Sequence, residues 1–248
     1  ETKCLIIYSQ RIINIILIMS KLILVCTSTS CFAQDLKLSK IKGSVLSNIS
    51  EQVLIEAYQQ IDIQLKFISF PAKRGVIISN DGSVDGEVHR VIKVDYQYPS
   101  LLRVPTAINK AEVVLFSLNK NLKVAGWHSL KPYTIGFLRG ALYAEKGTQE
   151  MDTMPLNSHE QIFIMLKFKR IDIGILARVV GLNFLIRNEY EHIQVIEPPL
   201  LQHKLYHYLH VTHKALLPKI DAVLKKMKNN GRIDEIRALY IKSLQIPP

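Results

Sequence analysis

The sequence predicts an α/β fold built on a parallel sheet with crossover helices. Three observations carry this. Helical and strand-like segments alternate between residues 50 and 88, the connections between them are too short for stacked β-hairpins, and the carboxyl end is purely helical. "SEQVLIEAYQQI" spaces Val53, Leu54, Ala57, Tyr58 and Ile61 as one helical face, with Ser50 as the expected N-cap and Glu51 at the positive end. "DIQLKFISF" alternates as a strand. Pro71 then opens a short helix, "PAKRGVIISN", which Gly82 can end in the left-handed conformation, and "SVDGEV" follows as a strand.

Further on, "AEVVLFSL" and "YTIGFLRG" predict apolar strands, the second leading into the helix "ALYAEKG". "SHEQIFIMLKFKR" gathers Ile162, Met165, Leu166 and Phe168 near one helical stripe, and "IDIGIL" is a short strand. "HIQVIEPP" is a strand expected to stop at its two prolines, and "KLYHYLHVT" alternates as another. Two helices close the chain. The first buries Leu216, Ile220, Val223, Leu224 and Met227 and ends at Gly231; the second repeats the pattern with Ile233, Ile236, Leu239 and Tyr240.

The 248 residues are 48% apolar and 21% charged, the composition of a folded globular protein. The amino end departs from the rest: a cation, apolar runs around Lys21, then small residues up to Ala33, the order of a cleavable secretory signal over residues 1–33. Met19 is a second plausible start. Lys21 interrupts the apolar run well short of the roughly 20 residues a membrane span needs. Cys4, Cys26 and Cys31 all lie in this leader, so the mature chain needs neither disulfides nor a thiol nucleophile. The net charge of +11 becomes 29 basic against 20 acidic residues, or +9, once the leader is removed. Such a balance suits an anionic ligand, an anionic surface or nucleic acid, and export argues against nucleic acid.

Five segments, in order, resemble bacterial periplasmic solute-binding proteins of the amino-acid-binding type, extracellular solute-binding family 3. They are "PAKRGVIISNDGSVDGEVHRV", "YPSLLRVPTAI", "WHSLKPYTIGFLRG", "IFIMLKFKRIDIGI" and "YLHVTHKALLPKIDAVLKKMKNNGRIDEI". The resemblance implies a type II periplasmic-binding-protein-like fold, two lobes joined by two crossing hinge strands that close on a ligand. Lobe 1 would take residues 34–113 plus 205–248 and lobe 2 residues 114–204, with "EVVLFSL" and "LYHYLHV" as the hinge strands. Three departures stand out. The first turn has no aromatic residue, "DGEVHRV" replaces the serine/threonine-rich stretch ending in arginine, and Ala177 falls where an acidic residue often meets the amino group.

The resemblance directs attention to strand ends facing the cleft. Glu87 and Arg90 are candidates there, the arginine fork for a carboxylate or phosphate and the glutamate to orient it or take an ammonium; the plain alternative is an ion pair three residues apart. Arg139 and Gly140 end a strand before a helix, where free N–H groups and a cation suit an anion; an ordinary turn is the alternative. Arg74 and Arg178 could face the cleft or simply be solvated, and Trp127 could wall a ligand or anchor packing.

On a helix, His203, His207, His210 and His213 would line one face and could ligate zinc, but strand alternation scatters them, so no metal is expected. No nucleophile elbow, phosphate loop or dinucleotide fingerprint is present. The expectation is a periplasmic, monomeric, non-enzymatic binder without cofactor. It closes on a small anionic or zwitterionic, amino-acid-like solute for ABC-type uptake through a membrane transporter, or for sensing through a receptor. The alternative is an exported module that docks an acidic partner and binds no solute.

Overall fold

The computed structural model describes residues 35–245 apart from 189 and 191. The expected signal peptide, residues 1–33, and its three cysteines lie outside the described residues. Among the described residues no helix is long and apolar enough to cross a membrane.

One eight-stranded sheet runs through the molecule in the order β2-β1-β3-β8-β4-β7-β5-β6. In the first lobe β1 (Asp35–Ile41) lies parallel to β2 (Gln64–Phe70) and to β3 (Gly86–Val91). Helices α1 (Val45–Gln59) and α2 (Ala72–Asn80) make the crossovers, and the short α3 (Val94–Gln97) leads into β4 (Leu101–Ser117). In the second lobe β5 (Ile135–Leu138) lies parallel to β6 (Thr153–Leu156) and β7 (Ile173–Ala177), connected through α4 (Leu142–Gly147) and α5 (His159–Lys167). After β7 come α6 (Arg178–Asn188), the return strand β8 (Gln194–His210), α7 (Leu217–Asn229) and α8 (Arg232–Ser243).

β4 and β8, 17 residues each, are antiparallel and pair from Leu101↔His210 to Ser117↔Gln194, so they traverse both lobes. Each lobe has its own core. α1, α7 and α8 cover one face of the first half-sheet, burying Leu38, Leu54, Tyr58, Ile108, Ile220 and Leu224. In the second half, Val113, Leu115, Ile135 and Ile175 pack on one face, and Val114, Phe116, Phe163 and Leu166 on the other.

Several boundaries differ from expectation, each for a local reason. Helix α1 starts at Val45 with Ser44 as its cap, the Oγ accepting from the Ser47 N–H at 3.2 Å; Ser50 lies inside the helix because Val45, Leu46 and Ile49 extend the apolar face backwards. β8 does not stop at Pro198–Pro199. Those residues fall in a break in register between Ile196 and Leu201, on a stretch where β4 alone pairs with β8, so no ladder N–H is missing. β4 begins ten residues before the predicted strand; Pro105 sits in a similar break, and the Thr106 N–H donates to Asp221 Oδ1 at 2.8 Å instead. Gly82 follows α2 at φ +82, as the sequence suggested.

Candidate functional site

Strict alternation along β3 would send Glu87 and Arg90 to opposite faces of the sheet. A register shift between them, a bulge against β8, brings both side chains to the α2 face. Arg90 Nε donates to Glu87 Oε2 at 2.9 Å and Nη2 to Oε1 at 3.0 Å; Nη2 also donates to the Ala72 carbonyl at 2.7 Å. Ser79 Oγ donates to Glu87 Oε1 at 3.2 Å. Glu87 is fully buried and Arg90 nearly so. Burial pushes the Glu87 carboxyl above its ordinary value, with the Arg90 charge opposing. α2 presses on the pair at Gly75, where a β-carbon would lie 2.6 Å from Ser39 Oγ and 3.2 Å from Glu87 Oε1. Here the sequence pair is a tie between β3 and α2, with only Arg90 Nη1 lacking a partner among the described residues.

The other candidates fall in separate places. Arg139, exposed, donates through Nε to Asn157 Oδ1 and through Nη2 to the Pro155 carbonyl, so it leans on β6. The Gly140 N–H donates to Glu145 Oε1 at 2.9 Å, which fills the open donor expected at that turn. Arg74 is exposed on α2 and makes no hydrogen bond or ion pair among the described residues. Trp127 packs on the second lobe's core, its indole lying over Gly147. The histidines separate, with His203, His207 and His210 along β8 and His213 in the turn after it: His207 is buried, its Nδ1 donating to the Glu87 carbonyl at 2.7 Å, which leaves Nε2 to accept from the Tyr58 hydroxyl at 2.9 Å. His213 instead meets Asp85 at 2.7 Å.

Arg178 is the candidate that reaches both hinge strands. It opens α6 at the carboxyl end of β7. Nε donates to Glu112 Oε2 of β4 at 2.8 Å, while Nη1 and Nη2 fork onto Glu197 of β8, the second at 2.8 Å. Both carboxyls are held below their usual range, Glu197 chiefly by the hydrogen bond from Arg178, Glu112 by Lys110 and Arg178 against its own partial burial. Lys110 Nζ also meets Glu112, at 2.9 Å. Behind this network α6 and α8, one from each lobe, flank a cavity of about 780 Å³. An apolar contact closes one side, with Ile49 of α1 and Val179 of α6 buried against each other beside Leu46 and Leu182.

Sequence reasoning missed Glu112, Glu197 and, above all, Arg237. The last helix buries Ile233, Ile236 and Arg237, whereas Leu239, expected inside, is 56% exposed. The signal was in the spacing: 233, 236, 237 and 240 are i, i+3, i+4 and i+7, and the third of these is a cation.

No protein-family model matches the sequence. A protein of Shewanella oneidensis bearing the name "Uncharacterized protein" is 28% identical over 199 residues, covering 76% of this chain and 74% of its own. Among solved structures, the probable amino-acid ABC transporter extracellular-binding protein ytmK from Bacillus subtilis matches with a TM-score of 0.72 at 15% identity, over 84% of this chain and 99% of that one. The GluR0 ligand-binding core complexed with L-glutamate gives 0.71 at 12% identity, over 85% and 99%. A histidine kinase sensor domain with similarity to periplasmic binding proteins gives 0.67 at 13%, over 83% and 95%. The chain therefore has the type II periplasmic-binding-protein-like fold, two α/β lobes joined by two crossing strands.

Proposed function

We propose that the protein is an exported solute-binding protein that closes its lobes on a small anionic or zwitterionic solute, for ABC-type uptake or for sensing. The observation that carries the proposal is the cavity between α6 and α8, which draws its walls from both lobes and from both hinge strands. A solute there would be touched by both lobes at once, the requirement for ligand-driven hinge closure. The lobe limits are 34–113 plus 205–248 and 114–204. Arg178 lines the cavity directly. Arg139, Gly140 and Arg74 lie outside the cavity's lining in this reading, and Glu87 with Arg90 ties α2 to β3. Trp127 supports the second lobe from within. The location is periplasmic after removal of residues 1–33, and the protein acts as a monomeric binder rather than an enzyme. Its fold neighbours, binding proteins and a sensor domain, support a solute binder.

The test is mass spectrometry of small molecules released from protein purified without denaturation. A stoichiometric small anion or zwitterion is expected. Protein that carries none, and whose melting temperature no solute raises, while it associates with acidic proteins in a salt-dependent way, would favour the docking module instead.

A further inference from the structure

The cavity's charges are not equally available. Of its three carboxylates, Glu112 is held by Arg178 and Lys110 and Glu197 by both arms of Arg178, which leaves only Asp234, on the exposed side of α8. Arg237 is the opposite case. It is 9% exposed, and one of its nitrogens, Nη1, donates to Asn109 Oδ1 and to the Lys110 carbonyl. Nε and Nη2 have no partner among the described residues, yet neither is sealed from solvent, and Arg237 is part of the cavity's lining. Arg237 also borders a smaller cavity of about 140 Å³, where Lys204 and Lys228 add positive charge. Val179 and Leu182 from α6 and Ala238 and Ile241 from α8 make the apolar part of the lining.

We infer that the solute is an apolar carboxylate without an ammonium group, its carboxylate held by Arg237 and its body packed on Val179, Leu182 and Ile241. A nearly buried guanidinium with free donors is incomplete without an anion, and a planar carboxylate matches its fork. An ammonium placed beside that carboxylate would find Glu112 and Glu197 already neutralised, and the one free carboxylate, Asp234, stands on the exposed side of α8, where a charge pair in water contributes little. This inference rests on the solute-binding reading and narrows it. It departs from the amino acids named for the neighbouring structures.

Two pairs of probes differ only by the ammonium: 4-methylpentanoate against L-leucine, and 3-phenylpropanoate against L-phenylalanine. In thermal melts of the wild-type protein, each carboxylate at about a hundredfold excess over its Kd should raise the melting temperature by roughly 5–10 °C, with the amino acid giving less than half of that. Arg237→Gln should remove the response. Because that change also deletes buried hydrogen bonds, Ala238→Phe, which fills the cavity and leaves them intact, should remove it as well. Equal response to the amino acids, or a response surviving in both variants, overturns the inference. So does a wild-type protein indifferent to both carboxylates; the solute-binding reading then stands if another solute raises the melting temperature and falls if none does.

Discussion

Removing Arg90 should expose how far the Glu87 pair is a structural element. Arg90→Ala deletes two hydrogen bonds to a fully buried carboxylate and, among the described residues, the one side-chain donor to the Ala72 carbonyl. Breaking a buried pair from one side costs about 3–5 kcal/mol, because the charge left behind has no counterion. For a chain of this size about 1 kcal/mol moves the melting temperature by roughly 2–4 °C, so a fall of roughly 6–20 °C is expected. The pH dependence gives an independent check. Burial already places the Glu87 carboxyl above its unfolded value of 4.5, and losing Arg90 raises it further. Between those two values the folded state binds more protons than the unfolded one, so stability falls as pH rises through the window and is recovered on acidification. The deficit of Arg90→Ala relative to wild type should therefore be largest at pH 7 and shrink toward pH 5. Adding Glu87→Gln should restore most of the loss at pH 7. Urea denaturation at both pH values reads all three. A loss below about 1 kcal/mol, or a deficit independent of pH with no rescue by Glu87→Gln, would refute the buried-pair account.

Gly75→Ala should lower the urea midpoint, since overpacking of about 1–3 kcal/mol outweighs the roughly 1 kcal/mol gained in helix propensity; adding Ser39→Ala, which removes the oxygen 2.6 Å from the new methyl, should restore it. Burial lowers His207 to about 4 and His89 to about 3, below the unfolded 6.5. Their contribution is present above pH 6.5 and is lost as pH falls toward 4, so His207→Gln should flatten that acid limb of a stability–pH curve, against the opposite slope from Glu87. Arg178→Met should cost only about 1–2 kcal/mol, because Glu197 is largely exposed, and the difference should narrow as salt rises.

Most helices, and β5 and β7 of the second lobe, were legible because each follows one period closely, whereas β6 and the short α3 were not read. α2, α4, α7 and α8 begin or end where a proline or glycine punctuates the pattern. The hinge strands were read in pieces. Pro198 and Pro199 signal a stop, and only the absence of β3 beside that part of β8 makes them harmless, a tertiary fact with no local trace. The site suffered twice from local reading. Glu87 and Arg90 were seen as a pair facing a cleft, but which face they share depends on a bulge against a strand more than a hundred residues away. Arg237 was passed over because an arginine on a terminal helix is ordinarily solvated, and the stripe was drawn through Leu239 instead. α6 was not predicted at all: among the described residues it buries only Val179 and Gly181, too few to print a helical period on the sequence.

The central claim is that a small solute binds between the lobes. The most direct measurement is the melting temperature of the purified protein across a panel of amino acids and small carboxylates, repeated with Ala238→Phe. The account predicts that at least one solute raises it by roughly 5–10 °C at saturation and that the variant, folded without ligand like the wild type, does not respond. A panel without any shift, or a shift unchanged by filling the cavity, would contradict it.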